Sequence, residues 1–129
     1  MLILPFLIKL TDIKASKING KKVLFYKNNS IMSYYFIAQI KINDENEYQK
    51  YIDNAGKIFS RYKGKYLSID NNPKILEGKW NYSRTVLIEF ENKDEFNAWY
   101  DSPEYQSILK FRLMAADCDS ILVKGLEGN

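Results

Sequence analysis

The chain contains no histidine. That excludes a Ser-His-Asp triad, a histidine general base, an axial histidine on haem and every histidine-containing zinc site. It has one cysteine, Cys118, so an internal disulfide cannot form. No apolar run approaches the ~20 residues that span a bilayer, so no membrane role is expected. No glycine-rich phosphate loop, DxDxDG-type calcium loop or HExxH helix is present. Neither a metal nor a cofactor is therefore expected.

What remains is 129 residues, 46% apolar and 27% charged, the composition of a soluble globular domain with one core. The formal charge of +3 is unevenly spread. Residues 1–31 carry six lysines against Asp12 alone, a net +5, and residues 32–129 are net −2. The main body thus offers no net attraction to phosphate, and no nucleic-acid role is expected of it. Any such role belongs to the leader and must vanish with it. The opening MLILPFLIKL lacks the preceding positive charge and the A-x-A-like site of a signal peptide. We expect Met32 to be the natural start, residues 1–31 to be a poorly ordered arm or a mis-assigned start, residues 32–129 to be the working domain, and the location to be cytoplasmic.

From Met32 the pattern is regular. Tyr34–Ile42 is dense in β-branched and aromatic residues and reads as a central strand, with Tyr35, Ile37 and Gln39 on one face. Asn43 or Asp44 then caps a helix, Asp44 with Glu47 in capping-box spacing. Its stripe of Tyr48, Tyr51, Ile52, Ala55, Ile58, Phe59 and Tyr62 keeps helical period, and Gly64 reads as the stop. Lys65–Ile69 and Lys74–Trp80 are extended runs around Asp70-Asn71-Asn72-Pro73, so a hairpin is expected. Arg84–Phe90 is a second buried strand, with Val86, Ile88 and Phe90 on one face and Thr85, Leu87 and Glu89 on the other. Asn92 opens a short helix with Phe96, Trp99 and Tyr100. Ser102-Pro103 ends it and starts the next, whose stripe is Tyr105, Ile108, Leu109, Arg112, Leu113 and Ala116. Ser120–Lys124 is the last strand.

This order predicts an α+β fold, a ferredoxin-like βαββαβ sandwich with one extra hairpin strand. Two helices cover one face of such a sheet. The other face would expose Tyr35, Ile37, Thr85 and Leu87, a patch larger than soluble monomers usually tolerate. A homodimer with sheets packed face to face is therefore expected.

Several runs are distinctive: Lys65-Tyr66-Leu67, Leu76-Glu77-Gly78-Lys79-Trp80, Arg84-Thr85-Val86-Leu87-Ile88-Glu89-Phe90, and Ala98-Trp99-Tyr100-Asp101-Ser102-Pro103-Glu104-Tyr105-Gln106. Together they resemble the DUF1330 family across about residues 33–126. The resemblance implies a dimeric α/β barrel, in a superfamily that includes cofactor-free monooxygenases, muconolactone isomerase and haem-dependent chlorite dismutases. It implies little about reaction, because the family has no established activity. Relatives typically carry an Arg and two glycines after the Tyr-Leu strand, where this chain has Ile69, Asp70 and Asn71. The haem branch needs a histidine that this chain lacks.

Two candidate catalytic residues stand out. Glu89 is a carboxylate among apolar strand neighbours, read either as a general base or polar anchor, or as an ion-pair partner of Arg84 or Arg112 or a solvated strand end. Arg112 interrupts an apolar helix stripe, read either as a binder of a carboxylate or enolate or as a snorkelling side chain. Candidate ligand-binding residues are Tyr35, Gln39, Trp80, Arg84, Trp99 and Tyr105, with core packing as the competing reading of the aromatics and a surface position as that of Arg84. Cys118 reads as a buried thiol. Two functions follow: a cofactor-independent enzyme acting on a small, partly apolar molecule in a barrel cavity, or a non-catalytic dimer that binds a small ligand or a protein.

Overall fold

The computed structural model describes residues 13–26 and 32–127. The chain divides into two compact units, residues 1–31 with 127–129, and residues 32–126. Of residues 1–31, read above as the leader, 1–12 and 27–31 lie outside the described residues. Within the first unit, strands β1 (Ile13–Ile18) and β2 (Lys21–Tyr26) pair antiparallel as a hairpin. Its turn is Asn19-Gly20, both at positive φ (51° and 77°). That is the backbone a two-residue hairpin turn requires, and Asn-Gly is its strongest sequence signal.

The second unit runs β3 (Tyr34–Ile42), α1 (Glu45–Phe59), β4 (Lys65–Asp70), β5 (Arg84–Phe90), α2 (Lys93–Tyr100), α3 (Pro103–Ala115) and β6 (Ala116–Lys124). The sheet order is β4-β5-β3-β6 with every neighbour antiparallel. This is the ferredoxin-like α+β arrangement. Strand alternation sorts the residues: Phe36, Ala38 and Ile40 of β3 and Val86, Ile88 and Phe90 of β5 are buried under the helices, and their sequence neighbours are half-buried on the outer face.

Local chemistry sets the ends of the helices. Asp44, Asn92 and Ser102 are the N-caps, and each side chain accepts the backbone N–H three residues on, from Glu47, Glu95 and Tyr105. Ser102 Oγ also donates to the Trp99 carbonyl at 2.8 Å, and Pro103 supplies the preset first helical residue. The Ala115 carbonyl at the end of α3 accepts the N–H groups of both Asn43 (2.8 Å) and Asp44 (3.0 Å). The start of α1 is thereby tied to the end of α3.

Three expectations need correction. The extra hairpin strand over 74–80 is absent: 71–83 is an irregular connection, and β4 pairs with β5 directly. Pro73 lacks a donor, Gly78 sits at φ 80°, and Leu76 is 81% exposed, so the run has neither a ladder nor a core to join. Gly64 does not stop the helix by a left-handed turn; α1 ends at Phe59 with Ser60 as its C-cap. Gly64 is instead where rings crowd the chain, since a Cβ there would lie 2.6 Å from Phe59 Cζ and 2.7 Å from Phe90 Cε1. Leu113 is exposed, and Ala115 takes its place on the buried side of α3.

Candidate functional site

The site lies between the inner sheet face and α1. Helical spacing places Tyr48, Tyr51, Ile52 and Ala55 of α1 on one wall. Alternation places Phe36, Ala38 and Ile40 of β3 and Arg84, Val86 and Ile88 of β5 on the opposing wall, with Tyr66 and Ile69 of β4 at the edge. Arg112 of α3 and Trp99 of α2 complete it. The gap is about 50 Å³, several times the ~10–15 Å³ that one water centre needs. Two alanines, Ala38 and Ala55, stand among bulky neighbours on its walls, which leaves the gap open. A wider, open cleft of about 450 Å³ shares Tyr48, Ile52 and Arg84 with the inner cavity, and is otherwise lined by Ile42, Glu45, Gln49, Asn71 and Ser83.

Arg112 is the residue that demands explanation. It is 2% exposed, so the snorkelling reading fails. Among the described residues no carboxylate pairs with it, and its Nε has no hydrogen-bond partner. Its guanidinium lies 5.6 Å from the Tyr51 ring centroid, a cation–π contact. Burial works against its charge, but the phenols of Tyr105 and Tyr51 hold its affinity for the proton up. A guanidinium does not shed its proton in a protein, so the charge stays.

Arg84 enters the same cavity as the next inward residue after Val86. Its Nη1 donates to Asn71 Oδ1 at 2.8 Å, and its Nε is buried without a partner. The phenols around the two arginines are donors at neutral pH. Burial raises Tyr48, Tyr51 and Tyr105, and pushes Tyr66 up to about 12. Tyr51 and Tyr105 share a hydrogen bond of 2.9 Å between their hydroxyls. Cys118 is half-buried, and burial raises its thiol while neighbouring Arg112 lowers it.

The structure thus brings Arg84, Arg112 and Trp99 together on one cavity, with Tyr105 adjoining through Tyr51. It does not bring Glu89 there. Glu89 lies on the outer face of β5 with Lys65 and Tyr35 as cross-strand neighbours, so Glu89 and Arg112 cannot share a site within one protomer, nor can Glu89 pair with Arg112 or Arg84. Tyr35 and Gln39 lie on the same outer face of β3. Trp80 belongs to the 71–83 connection and meets the Tyr82 ring edge-on at 5.3 Å. Tyr82 in turn donates to Asp119. The residues missed from sequence are Tyr48, Tyr51 and Tyr66. The first two were visible as polar-tipped members of the α1 stripe.

The sequence matches the family described as a domain of unknown function, DUF1330, over residues 33–126. No curated protein matches it. Among solved structures, a protein of unknown function from Rhodopseudomonas palustris is 19% identical, with 78% of this chain and 88% of that one covered and a TM-score of 0.63. A dimeric ferredoxin-like protein of unknown function from Thermobifida fusca is 18% identical (71% and 90% covered, TM-score 0.54). SnoaB, a cofactor-independent oxygenase from Streptomyces nogalater, is 11% identical (74% and 95% covered, TM-score 0.53). These likenesses establish the fold. Among the described residues no helix is long and apolar enough to cross a membrane.

Proposed function

Because this chain belongs to the DUF1330 family, which carries a fold but no assigned activity, we propose a function from the cavity itself: it binds a small, partly apolar anion with its carboxylate or enolate head on Arg112. One observation carries the reading, namely a guanidinium buried to 2% exposure with no acidic partner among the described residues. Burying an unpaired charge costs several kcal/mol, a cost that an anion in the cavity offsets. The neutral phenols of Tyr48, Tyr51 and Tyr66 offer donors to the same anion, and Phe36, Ile40 and Trp99 offer apolar walls. The inner space admits a head of a few atoms, and the wider cleft takes the remainder.

Calorimetric titration with propionate and monomethyl succinate tests this. Wild type should bind both, and Arg112→Met should weaken each by tenfold or more, roughly the worth of one hydrogen bond to a charged group. Ala38→Leu, which fills the cavity and leaves the charge, should weaken them as well. Equal affinity in wild type and Arg112→Met would overturn the reading.

The enzymatic version rests on the same residues. Buried donors around a guanidinium stabilise an enolate as it forms, which is what a cofactor-independent reaction needs. The oxygenase likeness supports this version. The inner cavity contains no carboxylate, however, so Glu89 is not its base within the protomer. Binding is the function the geometry supports best.

We further propose that the occupant of the outer sheet face is a second copy of this chain. Ile121 is 58% exposed there, on the same strand face as Val123 and opposite Ile37, which in turn lies opposite Leu87. The dimeric Thermobifida fusca neighbour supports a pairing of copies. Sedimentation should give twice the mass of one 15.2 kDa chain, and Ile121→Lys should halve it. A lone protomer of the wild type at micromolar concentration would refute the dimer.

A further inference from the structure

We infer that the preferred ligand is a short dicarboxylate, held at one end by Arg112 and at the other by Arg84. The inference rests on the anion reading above and narrows it.

The inner cavity is lined by two guanidiniums and by no Asp or Glu. Glu45 lines only the outer cleft and is exposed, and Asp117 and Asp119 flank Cys118 on β6 outside the cavity lining. A single carboxylate leaves one positive charge uncompensated there. Two carboxylates balance both.

Sheet register gives the arrangement. Ile40 on β3 lies directly opposite Arg84 on β5 and directly opposite Cys118 on β6. Arg112 acts on the Cys118 thiol, and both arginines act on the Tyr48 phenol. Arg84 of β5 and Arg112 of α3 thus both line the gap above Ile40. Ile40 and Val86 form an apolar floor for the carbons between the heads.

Each arginine also has an unused donor aimed at no protein group, since Nε of Arg84 and Nε of Arg112 are both buried without partners. Arg84 is steadied through Nη1 by neutral Asn71, which orients it and leaves its charge uncancelled. A carboxylate takes two donors from one guanidinium edge, so a planar carboxylate at each end suits the pair better than a single compact anion.

The test is a calorimetric titration of the full chain with succinate, malonate, monomethyl succinate and inorganic phosphate. In wild type, one of the two diacids should bind about tenfold or more tighter than the monoester, as one added hydrogen-bonded charge implies. In Arg84→Gln that advantage should fall to about one, diacid affinity dropping about tenfold or more further than monoester affinity. Arg84→Lys should keep part of the advantage, which guards against a folding defect in the glutamine variant. If the monoester binds through Arg112 but the diacids gain nothing in wild type, this inference fails and the anion reading stands. An advantage that persists in Arg84→Gln also overturns it. Phosphate binding tighter than both diacids replaces the dicarboxylate with a phosphate group. If no probe binds, the anion reading falls too.

Discussion

Arg112→Met should be more stable than wild type, by about 1–3 kcal/mol, although it removes a residue packed deep in the core. For a domain of this size that is a rise in melting temperature of several degrees, since about 1 kcal/mol corresponds to 4–8 °C. Methionine matches the reach of the arginine stem and fills irregular space well. It leaves out a charge that has no acidic partner among the described residues. In exchange the variant forgoes the cation–π approach to Tyr51 at 5.6 Å and the polar interaction with the surrounding phenols. A cation–π interaction is worth ~0.5–2 kcal/mol, less than the usual desolvation cost of a buried ion. The same variant should bind the anionic probes at least tenfold more weakly. Thermal denaturation with and without propionate checks both halves: wild type should gain stability from the probe, and the variant should gain less. A methionine variant several kcal/mol less stable than wild type would mean that the phenols already satisfy the guanidinium, and that the residue is structural.

Trp99→Ala should lose about 3–5 kcal/mol, the cost of truncating a fully buried indole. Small domains hold about 5–15 kcal/mol in total, so much of the population should be unfolded or loosely packed at 37 °C. The reason is the number of elements that meet at this ring. It stacks on Phe90 of β5 (5.5 Å, 26°) and meets Phe36 of β3 (5.5 Å), Phe59 of α1 (5.6 Å) and Tyr105 of α3 (4.3 Å). One side chain therefore joins two strands to three helices. Trp99→Phe should cost much less, because the indole Nε1 is buried without an acceptor and its removal relieves an unsatisfied donor. Near-ultraviolet circular dichroism and urea midpoints measure both variants. An alanine variant within 1 kcal/mol of wild type would show that the neighbouring rings close the gap unaided.

The sheet and helices were legible because their burial follows simple periods. Alternation in Tyr34–Ile42 and Arg84–Phe90 and the α1 stripe each identify a face without reference to anything distant. Ser102-Pro103 likewise sets the start of α3 through its own cap. The run 74–80 was misread because a strand needs a partner edge, and pairing is not a local property. Its apolar residues, Ile75, Leu76 and Trp80, resemble a strand, yet β5 already occupies the edge of β4 that faces it. The hairpin at Asn19-Gly20 had its signal in plain view, and the weak periodicity of the surrounding leader obscured it.

The candidate site was half legible. The alternation that put Glu89 with Thr85 and Leu87 also put Arg84 with Val86, so the separation of Glu89 from Arg84 was there to be read. What alternation does not say is which tertiary gap a face borders. The cavity exists because Ala38 and Ala55, from elements distant in sequence, leave the same space unfilled. No window of sequence contains that coincidence.

The two hydrogen bonds that the Ala115 oxygen accepts have a consequence for how a molecule reaches Arg112. One bank of the outer cleft, Ile42 to Glu45, is moored to α3 by backbone. The opposite bank begins in 71–82, which makes no backbone-to-backbone hydrogen bond to another element among the described residues and is fastened through side chains, the Asn72 N–H to Asp70, Asn71 to Arg84 and Tyr82 to Asp119. Ser83 at the end of that bank is tied by backbone to Ile40, so only its 71–82 part is latched by side chains. The latch at Asn71 is fastened to an arginine that lines the inner room, so whatever draws Arg84 toward itself loosens the door behind it.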